Sequence, residues 1–177
     1  NDAKESEHDI VIEYSGKAAD AAIRLGQWGQ AWADAARAQA VAVARQADAV
    51  VMLAGLSREI ESENLDRDTQ RLPNHQVQLI RELAGLNKPI VLVLMGGTSI
   101  TLSEVKDVAG AVIVAWYPGQ EGGGALADVL FGDYNPSGRL PITFYAADSD
   151  LPPFEDYAMT NRTYRYFRGT PAYPFGF

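Results

Sequence analysis

The residues of this sequence that could do chemistry are concentrated in one acidic stretch. Its acids are Glu59, Glu61, Glu63 and Asp66, four carboxylates within eight residues, and Arg67 follows them directly. Carboxylates held close together raise one another's pKa, which suits a general acid, and glycosidic bonds are hydrolysed by pairs of carboxylates. The alternative is a solvated turn whose acids are merely polar. We predict that Asp66 and Arg67 pair and fix the conformation of the stretch.

The segment before these acids indicates where the fold would hold them. Residues 49–54 read Ala-Val-Val-Met-Leu-Ala, a short apolar run that contains β-branched residues and ends at Gly55. Such a run predicts a buried strand. Ligands of open α/β sheets bind outside the carboxyl ends of the strands, so we expect the acidic loop at the ligand-binding edge.

Apolar runs and helical periodicities alternate along the middle of the chain. Strands are predicted over residues 49–54, 89–95, 111–115 and 140–144, and helices over residues 33–47, 74–86 and 124–131. This order predicts an α/β fold with a mostly parallel sheet sandwiched by helices.

The two ends of the chain differ in character from the middle. Residues 8–14 and 22–28 alternate like a short β-hairpin, whereas residues 148–177 are rich in Pro, Tyr and Phe. We therefore predict three parts: residues 1–30, an α/β domain over residues 31–147, and an irregular aromatic tail over residues 148–177. Such a tail is too short to form its own core, so we expect its aromatic residues to anchor it on another surface.

Two glycine-rich loops and an aromatic pair follow the other predicted strands. Residues 96–98 and 119–124 could cradle phosphate with backbone N–H groups, but neither loop matches G-x-G-x-x-G or ends in G-K-[ST]. Tight turns that allow close strand–helix packing are the alternative. Trp116 and Tyr117 end a strand at the edge of the acidic loop, where they could pack in the core or form a wall against a sugar.

Composition argues against several classes of partner. The net charge of −8 and the absence of a Lys/Arg cluster argue against nucleic acid and anionic membranes as partners, and no apolar run is long enough to span a bilayer.

The chain has no Cys and only two isolated histidines, His8 and His75, so we predict no metal site and no cofactor. The sequence does not begin with Met and opens without the features of a signal peptide, which suggests an internal piece of a longer chain.

Several blocks of the chain match, in order, the motifs of one known family. The blocks are E-N-L-D-R over residues 63–67, L-P-N-H-Q over 72–76, A-W-Y-P-G-Q-E-G-G over 115–123, A-D-V-L-F-G-D-Y-N-P-S-G-R-L-P over 127–141, R-T-Y-R-Y-F over 162–167 and Y-P-F-G-F over 173–177. From residue 47 to residue 177 the chain resembles the second, α/β-sandwich domain of glycoside hydrolase family 3, the β-glucosidases and β-xylosidases. Residues 1–30 resemble the last strands of the protective-antigen-type β-sandwich that some members carry as an insert.

This resemblance implies retaining exo-hydrolysis of β-linked glucosides or xylosides. It places the nucleophilic Asp on a (β/α)8 barrel that these residues do not contain, and the general acid/base Glu on the acidic loop. Alignment of E-N-L-D-R with the family's E-G-x-D-R makes Glu63 the first choice for the acid/base, Glu61 the second and Glu59 the third. The residues assigned to substrate binding are Glu59, Asp66, Arg67, Trp116 and Tyr117.

The resemblance also implies what the chain would need in order to act. The isolated chain is predicted to hydrolyse nothing, and the barrel would come from the same parent chain or from an associated one. One alternative is a non-catalytic carbohydrate-binding or structural module that kept the fold. Another is a nucleotide-binding α/β domain, which predicts a ligand at the glycine-rich loops. The family slightly favours a periplasmic or secreted location.

Overall fold

The computed structural model describes residues 29–177. The predicted N-terminal hairpin and the resemblance to an inserted β-sandwich concern residues that lie outside this range. The elements are α1 (Gln30–Gln46), β1 (Val50–Gly55), α2 (Asn74–Ala84), β2 (Ile90–Met95), β3 (Ala111–Val114), α3 (Gly122–Phe131), a 3₁₀ turn (Asp148–Asp150) and α4 (Thr163–Tyr166). The predicted α/β class is confirmed, and the ends of the helices and strands that the sequence predicts between residues 33 and 131 differ from the observed ones by at most three residues.

The three strands form one parallel sheet in the order β1–β2–β3. Val50 is paired with Ile90 at one end of the β1–β2 ladder and Gly55 with Met95 at the other. Helix α2 makes the crossover from β1 to β2, as a parallel pair requires. Because the strands run in the same direction, the loops that follow them leave from one edge of the sheet.

Helix α2 packs one apolar stripe against the sheet to make the main core. Val77, Ile80 and Leu83 recur at helical spacing and are all buried. They belong to the same buried cluster as Leu92 and Leu94 of β2. Full burial of one such side chain contributes about 1.5–3 kcal/mol, so this stripe is what holds α2 and the crossover in place.

The second face of β1 is open, which corrects the prediction of a fully buried strand. Val51 is 47% exposed and Leu53 is 59% exposed, whereas Met52 and Ala54 are buried. The physical reason is that β1 lies at the edge of the three-stranded sheet, and in the described part of the chain α2 covers only the Met52 face. An alternating exposure therefore replaces the two-sided burial that the apolar run predicts.

The predicted strand over residues 140–144 does not join the parallel sheet. This segment pairs instead with the end of the chain, through a single antiparallel bridge between Phe144 and Tyr173. Leu140 N–H donates to the Phe177 carbonyl over 3.1 Å, and its own carbonyl accepts from Gly176 N–H over 2.8 Å. The tail thus returns to its own domain, where the Tyr173 ring packs against the core. The division of the chain at residues 30 and 147 stays a prediction.

Candidate active site

Glu61 is the centre of a polar cluster at the carboxyl edge of the sheet. Its Oε2 atom accepts hydrogen bonds from Gly97 N–H and from the Tyr117 hydroxyl, each over 2.6 Å, and its Oε1 atom accepts from the Thr98 hydroxyl. The Nε atom of Arg67 lies 3.9 Å from Oε1, and the Glu61 side chain is only 12% exposed. One carboxylate therefore joins the loops that follow β1, β2 and β3.

Local geometry at the end of β1 directs the acidic loop to this place. Gly55 has a φ of +151°, which favours glycine. Gly55 N–H donates to the side-chain oxygen of Gln76 over 2.8 Å, and the Gly55 carbonyl accepts from the side-chain NH2 of Gln76 over 2.9 Å. The Ser57 carbonyl then accepts from the N–H groups of Ile60 and Glu61, each over 2.9 Å. This turn brings Glu61 to the segment that follows β2.

The glycine-rich loop after β2 receives the Glu61 carboxylate. A Cβ atom on Gly97 would lie 3.0 Å from the Tyr117 ring and 3.4 Å from Glu61 Oε2, so glycine allows this close approach. The Gly97 N–H and Thr98 hydroxyl, which could have served a phosphate, instead bind an anion of the protein itself. The prediction of tight packing at residues 96–98 fits this arrangement better than a phosphate cradle does.

Arg67 is held by the loop after β2, and the predicted pair of Asp66 with Arg67 is wrong. Arg67 Nη2 donates to Thr98 Oγ1 over 2.7 Å and to the Ser99 carbonyl over 2.9 Å. The Asp66 side chain is exposed and makes no hydrogen bond or ion pair within residues 29–177. The Arg67 guanidinium reaches acceptors in the turn that follows β2 rather than the exposed carboxylate of its neighbour in sequence. Its Nη1 atom is buried without a partner in that same range.

The contacts of Glu61 set its acidity. Burial raises the pKa of the Glu61 carboxyl, but the hydrogen bonds from Gly97, Thr98 and Tyr117 and the charge of Arg67 outweigh burial, so the pKa lies below that of an ordinary glutamate. The pKa of Tyr117 is raised, first because its hydroxyl donates to the Glu61 carboxylate and then because of burial and the negative charge of Glu61. Glu61 is therefore a carboxylate that the fold keeps ionised.

Glu63 has the opposite surroundings, at the tip of the acidic loop. The Leu65 N–H donates to the Ser62 carbonyl over 3.1 Å, and this tight turn places Glu63 and Asn64 at its outer end. Asn64 has a φ of +62°, a left-handed conformation that Asn tolerates well and that Gly adopts freely, which explains how Asn can stand where the motif E-G-x-D-R has Gly. The Glu63 side chain is exposed and bonds to no group in the described part of the chain.

The aromatic pair at the end of β3 is divided between core and site. Trp116 is half-buried, and its ring packs edge-on against Phe144 with centroids 6.3 Å apart. It has a φ of +53°, which is uncommon for a large residue and directs the chain sharply out of the strand. Tyr117 is 59% exposed, and its hydroxyl is held by Glu61. The core alternative for Trp116 therefore has a contact to support it, whereas a sugar contact for either ring stays a prediction.

Sequence reasoning missed the residues that support the acidic loop from outside it. Asp148, in the predicted tail, accepts from the Thr69 hydroxyl over 2.5 Å and from Gln70 N–H over 2.7 Å. Arg71 forms a two-point ion pair with Glu104, with distances of 2.7 and 2.6 Å. No local pattern around Asp148 indicated these partners, which lie 79 and 78 residues away in the chain. Glu59, the remaining acid assigned to the site, is exposed.

Two kinds of site are not found among residues 29–177. No group of three or more His, Asp or Glu side chains there could hold a metal ion. No helix in the same range combines the length and the apolar character needed to cross a membrane.

Comparison with known sequences places the chain in a family. A model described as the glycosyl hydrolase family 3 C-terminal domain matches residues 4–177. The chain is 41% identical over 138 residues to a xylan 1,4-β-xylosidase of Xylanibacter ruminicola, covering 72% of this chain and 16% of that protein. It is 41% identical over 151 residues to a periplasmic β-glucosidase of Salmonella typhimurium, covering 78% of this chain and 20% of that protein.

Solved structures give the same result. A GH3 exo-β-xylosidase in complex with a xylobiose aziridine activity-based probe has 37% identity and a TM-score of 0.75, over 81% of this chain and 20% of that one. A GH3 β-glucosidase of Bifidobacterium adolescentis has 39% identity and a TM-score of 0.66, over 70% of this chain and 18% of that one. The chain therefore spans about a fifth of the length of the relatives that it matches.

Proposed function

Because this chain belongs to glycoside hydrolase family 3, and to its C-terminal domain, we propose that it supplies the general acid/base of a retaining exo-acting β-glycosidase. The proposed substrate is a β-linked glucoside or xyloside. The nucleophilic Asp would lie on a (β/α)8 barrel outside these residues, in the same parent chain or in an associated one.

The different surroundings of Glu61 and Glu63 support Glu63 as the acid/base. A general acid must carry a proton near neutral pH, so its pKa should be raised rather than lowered. Glu61 fails this test because its hydrogen-bond donors and Arg67 lower its pKa. Glu63 lies two residues away, exposed and without a bonding partner in the described part, so its carboxyl group is accessible to an approaching barrel and substrate.

The proposed reaction needs two proton transfers at Glu63, one in each step. In the first step, protonated Glu63 donates to the glycosidic oxygen while the barrel Asp attacks the anomeric carbon, so the C–O bond breaks and a glycosyl ester forms. In the second step, the Glu63 carboxylate takes a proton from water, and the resulting hydroxide displaces the Asp. Such a mechanism requires the two carboxyl groups to lie about 5 Å apart.

Other residues near Glu63 fit a sugar-binding role. The Tyr117 hydroxyl is held by Glu61, so its half-exposed ring has one preferred orientation and could form a wall of the sugar site. The buried Nη1 donor of Arg67 has no partner among residues 29–177, and a sugar hydroxyl bound at this edge of the sheet would supply one. Asp66 and Glu59 are exposed on the same loop, and Trp116 directly precedes Tyr117 in the segment that follows β3. We propose these five as substrate-binding residues.

Leaving-group dependence of Glu63→Gln tests the proposal in the complete enzyme, that is, this chain together with its barrel. We expect hydrolysis of an unactivated alkyl glycoside to fall by about 10²–10⁴-fold, because the departing oxygen must then leave unprotonated. A dinitrophenyl glycoside needs no proton, so formation of its glycosyl-enzyme should change little. Azide should then accelerate turnover and give a glycosyl azide, because this nucleophile needs no base.

The matched control is Asp68→Asn, an exposed acid of the same loop with no bonding partner within residues 29–177. It removes the same charge and should leave both substrates unaffected. An equal loss on both substrates in Glu63→Gln, without azide rescue, would reject the acid/base role and favour a carbohydrate-binding module. Substantial turnover by this chain without any barrel would reject the shared site.

A further inference from the structure

Glu61 joins the acidic loop to the segments that follow β2 and β3. Its two oxygens accept from two residues that follow β2 and one that follows β3, while its own backbone belongs to the loop that follows β1. Thr98 extends the cluster because its hydroxyl donates to Glu61 and accepts from Arg67. The three loops that border the site are thus joined at a single carboxylate.

We propose that Glu61 is a positioning residue that holds the tip of the acidic loop, and with it Glu63, in place for proton transfer. This role rests on the proposed function of Glu63. It assigns to Glu61 no contact with the reacting atoms, which separates it from an alternative acid/base. It also predicts that the effect of Glu61 on catalysis passes through Glu63.

Glu61 and Glu63 are only two residues apart, so the position of one strongly restricts the position of the other. Two residues span at most about 7 Å, so a displaced Glu61 carries Glu63 with it. A general acid works only within about 2.6–3.2 Å of its proton acceptor, and a misplacement of about 1 Å can cost 100-fold in rate. The turn of Ser62 to Leu65 transmits the displacement, because it is closed by its own hydrogen bond and moves as one unit.

Replacement by Gln would loosen Glu61 without changing its size. The surrounding groups are all donors towards it: the Gly97 N–H, the Thr98 and Tyr117 hydroxyls, and the Arg67 guanidinium. A carboxylate accepts from all of them, whereas an amide presents one NH2 group that faces donors. At least one of these hydrogen bonds must therefore break, and the electrostatic attraction between residue 61 and Arg67 is lost.

A double-mutant cycle in the complete enzyme, this chain together with its barrel, distinguishes positioning from folding. With an alkyl glycoside, Glu61→Gln should lower kcat/KM by about 10–100-fold, with a smaller loss on a dinitrophenyl glycoside. The double variant with Glu63→Gln should match Glu63→Gln within about threefold, because a misplaced acid matters only if the acid is present. Tyr117→Phe, which removes a single donor, should show the same pattern with a smaller loss.

Three kinetic outcomes would overturn the positioning role. Independent, multiplying effects of the two substitutions would indicate a separate contribution of Glu61. Full leaving-group dependence with azide rescue in Glu61→Gln, and none in Glu63→Gln, would make Glu61 the acid/base and reject both proposals. Unchanged kinetics in Glu61→Gln would show that the loop tip does not need it.

Hydrogen–deuterium exchange tests whether Glu61 holds the loop tip in place, and it needs no turnover. This test is therefore informative even if the proposed reaction is wrong. In Glu61→Gln, the amides of Ile60, Glu61 and Gly97 should exchange about tenfold faster than in the parent, because these hydrogen bonds open more often. Asp68→Asn should leave them unchanged. Equal exchange in all three proteins would reject the anchor.

Discussion

Gly55→Ala should disrupt the point where β1 passes into the acidic loop. A Cβ atom at this residue would lie 1.8 Å from the Met95 carbonyl oxygen and 2.7 Å from its carbonyl carbon, both backbone atoms that cannot rotate away. The strands must separate by at least 1.2 Å there before the closest contact reaches 3.0 Å. The φ of +151° adds strain for any residue with a side chain.

The magnitude follows from the bonds that this separation breaks. We expect this separation to break three hydrogen bonds: the bond of 2.9 Å from Leu56 N–H to the Met95 carbonyl, the bond from Gly55 N–H to the Gln76 side-chain oxygen, and the bond from the Gln76 side-chain NH2 to the Gly55 carbonyl. Three hydrogen bonds at about 0.5–1.5 kcal/mol each, with about 1–3 kcal/mol of backbone strain, give a loss of about 2.5–7.5 kcal/mol in the free energy of unfolding. The free energy of unfolding of a typical domain is about 5–15 kcal/mol, so the substitution would remove a large part of it.

The measurement is urea denaturation followed by circular dichroism, with Gly124→Ala as the matched control. Gly124 lies in α3, and a Cβ atom there would meet nothing within 4 Å. Alanine favours a helix over glycine, so this control should leave stability unchanged or raise it by up to about 1 kcal/mol. A Gly55→Ala protein within about 1 kcal/mol of the parent would refute the close approach to Met95 and the turn built on it.

Two further predictions concern the network around the loop. The lowered pKa of Glu61 means that the unfolded chain binds a proton first as the pH falls, so the stability from this carboxylate is fully present above the ordinary pKa of glutamate, about 4.3, and is lost as the pH falls through the lowered pKa of the folded state. The excess unfolding free energy of the parent over Glu61→Gln should shrink over the same fall in pH, and a constant difference would contradict the lowered pKa. Asp148→Ala should cost about 1–3 kcal/mol, because it leaves Gln70 N–H unpaired and frees Thr69, with Asp148→Asn losing less. Denaturation midpoints check this order, and an Asp148→Ala protein as stable as the parent would contradict it.

Local sequence was a good guide to the central elements. The apolar runs before Gly55 and over residues 90–95 form the predicted parallel strands, and the Val77, Ile80 and Leu83 stripe packs as a helix on them. These patterns are predictable because strand and helix periodicities act over a few neighbouring residues. The prediction failed for the segment over residues 140–144, because a strand must also find a partner, and this partner lies about thirty residues further on, at Tyr173.

The sequence by itself determined the fold class, the family and the acidic loop at the carboxyl edge of a parallel sheet. It did not separate the acids of that loop, because Glu61 and Glu63 have the same side chain and nearly the same neighbours in sequence. The tertiary structure separated them: Glu61 meets Gly97 across 36 residues and Tyr117 across 56, while the turn at Asn64 presents Glu63 outward. The pKa and accessibility of a carboxylate depend on donors and solvent in space, and only the folded chain brings those together.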